Sequence, residues 1–182
     1  MKYYIKHKSI NHNHYIFSAM DIANYFIYYN NLQNNKYGPL SLSKLLKLLY
    51  YAEGCSLALY NSNLFSDNIL AWEYGPAIEN VFNYFSHSLT TSFNKKSAYK
   101  NSSHKYSIYN FSTIYIINHN YNIKKLLINI FHTFGSYSTQ DLETKSRSEY
   151  PWLISTNYGK SLNNIISKKI IKTYFKNNYI KN

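Results

Sequence analysis

Residues 41–54 read Ser41-Leu42-Ser43-Lys44-Leu45-Leu46-Lys47-Leu48-Leu49-Tyr50-Tyr51-Ala52-Glu53-Gly54. Leu42, Leu45, Leu46, Leu48, Leu49 and Ala52 recur at the i, i+3, i+4 spacing of a helix with one buried face. Ser41 stands where a hydroxyl accepts from the first unsatisfied backbone N–H groups and caps the helix. The pattern predicts the strongest helix of the chain, running to about Tyr60 with Gly54 as its kink point. Lys44 and Lys47 fall nearer the polar edge. A solvated or salt-bridged face and a partner-binding face are both open readings for them.

Towards the N-terminus, Ser18 caps a helix through about Tyr29, with Met20, Ala23 and Ile27 on its buried side. Asn30–Pro39 is a turn-rich linker that Gly38-Pro39 stops. Residues 1–16, rich in Lys, Asn and His, read as a flexible N-terminus. In the other direction, Asn61–Asp67 is a loop and Ile69–Tyr74 a short extended piece. Ala71-Trp72-Glu73-Tyr74-Gly75-Pro76 then forms a rigid aromatic corner, with Trp72 and Tyr74 expected in the core between helices. A helix is expected from Pro76 to about Phe85, since proline is tolerated in a first turn.

Ser86–Ser103 is polar and reads as irregular. Tyr106–Tyr109 and Thr113–Ile117 are rich in aromatic and β-branched residues and predict a hairpin or strand pair. A helix over Asn120–Phe134 ends at Gly135, and Ser138 caps a short one through about Lys145. Tyr150-Pro151-Trp152 makes a second aromatic–proline corner. A last helix is expected from about Gly159 to Phe175, with 177–182 as a basic tail. Helices follow helices, and the strands are too short for a central parallel sheet. The fold class is mainly α: a compact single-domain helical fold with a minor short β-hairpin or strand pair.

Composition narrows the partners. At 182 residues, 45% of them hydrophobic, the chain is long enough for one domain with a core. The 22 tyrosines accompany an excess of Asn, Lys and Ile, the signature of AT-rich codons rather than of a tyrosine-specific role. The net charge of +12 suits nucleic acid, an anionic membrane surface or an acidic protein. Only Arg147 among the 20 basic residues is an arginine, which weakens the case for specific phosphate and base recognition. Cys55 is alone, so the chain holds no disulfide framework or cysteine zinc site. With no secretory leader and no run of roughly 20 apolar residues, a cytoplasmic location is expected.

No constellation for catalysis stands out. A Gly-rich phosphate loop, a nucleophile elbow and a His-Glu-x-x-His pattern are absent. Seven histidines occur, none paired at i, i+4. The acids Asp141 and Glu143 follow Ser138 in a first helical turn, where they complement the helix dipole. Neither Glu73 with Glu79 nor Asp141 with Glu149 makes a convincing acid/base pair. The expectation is a protein that is not an enzyme and needs no cofactor or metal.

Four segments in order resemble the Panacea domain, the family of SocA- and GepA-like antitoxins. Ser18–Ile27 is similar to its opening helix, and Leu45–Gly54 to its "KLQKLLYYAQG" helix. Ala71–Ile78 resembles its "AWxYGPV" signature, and Leu142–Trp152 its "LxxxTHxExPW" segment. The resemblance spans about residues 17–176. It departs at Leu46 for glutamine, at Ala77 for valine, and at Ser146-Arg147 for Thr-His. Arg147 fixes a positive charge where a titratable ring stands in the family, and Glu149 is its sequence-near partner.

What the resemblance implies is an antitoxin. It would neutralise a cognate toxin, usually encoded by an adjacent gene, by direct binding. Lys44, Leu45, Leu48, Tyr50, Tyr51, Ala71, Trp72, Tyr74, Gly75, Pro76, Arg147, Glu149, Pro151 and Trp152 would then be structural or toxin-binding. The alternatives are a basic nucleic-acid-binding module using the lysine-rich C-terminal helix, or an adaptor delivering a partner protein to a protease.

Overall fold

The computed structural model of the chain describes residues 17–86, 92–93 and 110–180. The helices among them are α1 (Ala19–Leu32), α2 (Leu42–Tyr60), α3 (Glu79–Ser86), α4 (Phe111–His119), α5 (Tyr121–Phe134), α6 (Thr139–Arg147), α7 (Tyr150–Ser155) and α8 (Lys168–Asn178). The strands are β1 (Leu40–Ser41), β2 (Leu70–Trp72), β3 (Gly75–Ala77), β4 (Ser92–Phe93) and β5 (Asn164–Ile165). β1 pairs with β4, and a second antiparallel sheet has the order β3-β2-β5. The class is mainly α, as the periodicity predicts. The N-terminal stretch 1–16, most of Ser86–Ser103 and Tyr106–Tyr109 lie outside the described residues.

α2 is the axis of the fold. Leu45, Leu48, Leu49, Tyr50, Tyr51 and Ala52 are all fully buried, because α1, α5, α6, α8 and the β2–β3 hairpin pack around it. Ser41 caps it as expected, accepting from Lys44 N at 3.2 Å. Ser18 and Ser138 go further: each forms a reciprocal box with Asp21 and Asp141. α2 runs without a break through Gly54. A Cβ there would lie 2.5 Å from the Phe175 ring, so the glycine permits α8 to cross closely.

Three local expectations give way to tertiary context. Thr113–Ile117 is helical, within α4: Asn110 caps it by accepting from Thr113 N at 3.3 Å. Thr113, Ile114 and Ile117 are its buried residues, a helical rather than alternating pattern. The β element lies elsewhere, in the aromatic corner itself. Pro76 sits in β3 opposite Ala71, and α3 starts only at Glu79. β3 is a sheet edge, where a residue without an N–H is accommodated. The last helix begins at Lys168, because left-handed φ values at Asn157, Tyr158, Gly159 and Asn163 break the chain into turns. Asn164-Ile165 then pairs with β2. At its other end α8 continues through Asn178, and Tyr179, within the stretch expected as a tail, is buried.

Candidate functional site

Two of the motif segments, Leu45–Gly54 and Leu142–Trp152, meet at Glu149, which sits at the start of α7 and is 2% exposed. A free residue there would cap the helix, but its carboxylate makes no capping bond. It turns instead to three phenols. Tyr50 Oη donates to Oε2 at 2.9 Å, Tyr51 Oη donates to Oε1 at 3.2 Å, and Tyr179 Oη donates to Oε1 as well. Lys145 Nζ approaches Oε1 at 3.5 Å. Burial pushes the Glu149 pKa up, while the Tyr179 bond, the Lys145 charge and the bonds from Tyr50 and Tyr51 pull it back. Burial and the same carboxylate raise the pKa of Tyr50, Tyr51 and Tyr179, so all three remain donors. Around them the rings interlock: Tyr51 stacks on Phe134 with centroids 3.8 Å apart, and Phe175 on Tyr179 at 4.7 Å.

A second joint locks the hairpin to α2 and α6. Gly75 has φ +101°, and a Cβ on it would lie 2.6 Å from Ser146 Oγ and 3.0 Å from Lys47 Cε. Only glycine fits that turn and that approach. Lys47 Nζ donates to Pro76 O at 3.2 Å, and Trp152 Nε1 donates to Trp72 O at 2.9 Å. Burial pushes the Lys47 pKa down to about 8, with the Glu143 charge opposing the fall. Lys44 is the counterpart at the other side of α2: its Nζ donates to Gly135 O, closing the end of α5, and burial lowers its pKa.

These contacts correct several readings of single residues. Lys44 and Lys47 are not on a solvated edge: they are 6% and 2% exposed, each held by a carbonyl distant in sequence. Tyr74 is not packed between helices but 61% exposed, because the turn after β2 carries it outward. Trp72 is partly buried, edge-on to Phe82 with centroids 4.9 Å apart. Trp152 is core, and Pro151 is buried beside it in the first turn of α7. Arg147 is exposed and lies 5.4 Å over the Trp152 ring rather than against Glu149, whose cation is Lys145. Leu45, Leu48 and Ala71 are core residues.

Tyr179 and Lys145 are the members of the Glu149 cluster that sequence reasoning missed. Tyr179 sits 30 residues away from Glu149 in a polar, lysine-rich stretch that gives no hint of burial. Lys145 had a signal, as the i, i+4 neighbour of Glu149. Glu53 forms another buried centre: Oε2 accepts from Leu64 N and Phe65 N, and Oε1 lies 3.0 Å from Lys168 Nζ.

Chemically, the Glu149 carboxylate and its three phenols answer one another. Cys55 is buried, and burial, aided by the Glu149 charge, pushes its thiol up to about 12. Such a thiol is not a nucleophile at neutral pH. Among the described residues, no cluster of three or more His, Cys, Asp or Glu could hold a metal ion, and no helix is long and apolar enough to cross a membrane.

The sequence model of one protein family matches residues 45–153, more than half of the chain; its description is Antitoxin SocA-like, Panacea domain. The match takes in most of α2, the hairpin, α6 and the first residues of α7, so it covers the hairpin joint and, of the Glu149 cluster, Tyr50, Tyr51, Lys145 and Glu149 but not Tyr179. Neither the curated proteins nor the solved structures yield a match to the chain.

Proposed function

The chain belongs to the SocA-like antitoxin, Panacea-domain family, and from that premise we propose that it neutralises a cognate toxin by direct protein–protein binding. The supporting observation is where the motif residues point. Tyr50, Tyr51, Glu149 and Trp152 bond to one another's elements inside the fold. They define a scaffold that leaves recognition to the surface. On that surface stand large rings: Tyr74, Tyr84, Tyr115, Tyr121 and Tyr158 are each 49–71% exposed. Tyrosine offers wide contact area at low rotamer cost and suits protein interfaces. The net charge of +12 favours an acidic partner.

This is a binding role and not an enzymatic one: the two buried acids are held inside the fold, Glu149 by three tyrosines and Glu53 by Lys168 and two backbone N–H groups. The toxin is expected from a gene adjacent to this one. Expressing that gene alone should arrest growth, and co-expressing this chain should restore it with the two proteins co-purifying. Arrest that the chain does not relieve refutes the proposal. So does rescue without a complex, which is the outcome a nucleic-acid-binding repressor gives.

A further inference from the structure

Beside Tyr74 the hairpin, α2 and α3 enclose a cleft of about 170 Å³. Small-molecule sites run to roughly 300–1,000 Å³; this cleft is the size of one side chain. Its walls are Leu42, Leu46, Trp72, Tyr74 and Phe82. Three of the five are rings, and Tyr74 stands exposed at the lip.

Three polar side chains line the same cleft, Ser43 and Lys47 from α2 and Glu143 from α6. Lys47 is 2% exposed, and among the described residues its ammonium donates only to Pro76 O, so two of its three N–H donors have no protein acceptor there. Glu143 accepts from Ser43 Oγ and makes no ion pair with Lys47 among the described residues. A donor and an acceptor thus line one cleft close enough for their charges to interact but without an ion pair between them. A buried ammonium lacking acceptors is unfavourable, and a group that supplies one there gains accordingly.

A carboxylate would meet Glu143, and an ammonium would meet Lys47. A plain hydrocarbon ring would answer neither. A phenol does both at one atom: its oxygen accepts from Lys47 and its hydrogen goes to Glu143. Its flat body suits walls of Trp72, Tyr74 and Phe82, which favour edge-to-face and offset contacts. Resting on the antitoxin reading above, we propose that this cleft is a toxin-contact site that takes a tyrosine side chain of the toxin, hydroxyl inward between Lys47 and Glu143.

The test uses the full chain and two probes, N-acetyl-tyrosinamide and N-acetyl-phenylalaninamide, followed through the indole N–H resonance of Trp72. The tyrosine probe should shift that resonance and bind about tenfold more tightly than the phenylalanine probe, the discrimination that one net hydrogen bond to a hydroxyl supplies. Tyr74→Ala should weaken both probes, and Glu143→Gln should narrow the gap between them, with thermal midpoints near that of the unaltered chain. Equal binding of the two probes, or no shift at Trp72, overturns the proposal. In the growth assay, rescue by the unaltered chain and equally by both variants also overturns it while leaving the antitoxin reading intact. Failure of the unaltered chain to rescue overturns the antitoxin reading instead, and the preference between probes then decides the cleft.

Discussion

Glu149 joins three parts of the chain through one carboxylate, and its substitution separates charge from shape. Glu149→Ala leaves the Tyr50, Tyr51 and Tyr179 hydroxyls facing a cavity and should destabilise the fold by about 3–5 kcal/mol, as breaking a buried charged network does. Glu149→Gln keeps the volume and an acceptor oxygen and should lose much less. Urea midpoints give both values. The two variants also fix the pH dependence. The folded chain holds the Glu149 proton more tightly than the unfolded chain, since burial raises its pKa. Its contribution to stability is therefore full at pH below the ordinary carboxylate range and declines as pH rises through its raised value. In Glu149→Gln that decline should be missing, which the stability difference between the two proteins at pH 4 and pH 7 reveals. Lys47 acts in the opposite direction. With its pKa lowered to about 8, the unfolded chain binds the proton more readily, so stability should rise by about 1.5 kcal/mol between pH 8 and pH 9.5. Lys47→Met should remove that rise.

At the scale of elements, two glycines decide how closely helices and hairpin approach. Alanine is the better helix former by about 1 kcal/mol, yet Gly54→Ala drives a methyl group into the Phe175 ring 2.5 Å away. Overpacking of about 1–3 kcal/mol outweighs the gain, and Gly54→Ala should lower the thermal midpoint. Combining it with Phe175→Leu should restore part of the loss, a coupling that a double-mutant cycle measures. Gly75→Ala has both a left-handed φ and the Ser146 contact against it. It should loosen the hairpin, and Ser146→Gly should relieve only the contact.

Elements with local signatures were legible in the sequence. Ser18, Ser41 and Ser138 mark helix starts because an N-cap bond lies within three residues. α2 announces itself by leucine spacing. Thr113–Ile117 misleads because β-branched residues suit a half-buried helix face as well as a strand. The hairpin at Pro76 and the late start of α8 depend on pairing with residues far along the chain, and no local pattern encodes that. The candidate site was legible in part for the same reason. Tyr50, Tyr51, Glu149 and Trp152 stand in recognisable segments, whereas the burial of Lys47 and Lys44 depends on carbonyls 29 and 91 residues away.

Across the whole molecule, the interior is a set of mutual bonds and the surface is basic and ring-rich. A partner that reads such a surface should be acidic, and its association should slow as salt rises, since screening weakens steering between unlike charges. The interior joints make a complementary claim. Trp152→Ala should lose about 3–5 kcal/mol of stability, as removal of a large buried ring does, and impair rescue only through folding. Tyr74→Ala should leave stability within about 0.5 kcal/mol, as surface changes do, and impair rescue directly. The most direct measurement is growth of cells in which the gene adjacent to this one, the proposed toxin, is induced, with and without this chain, alongside co-purification of the two proteins. Restored growth together with a stable complex is the predicted result. Continued arrest in cells that contain both proteins in folded form would contradict it.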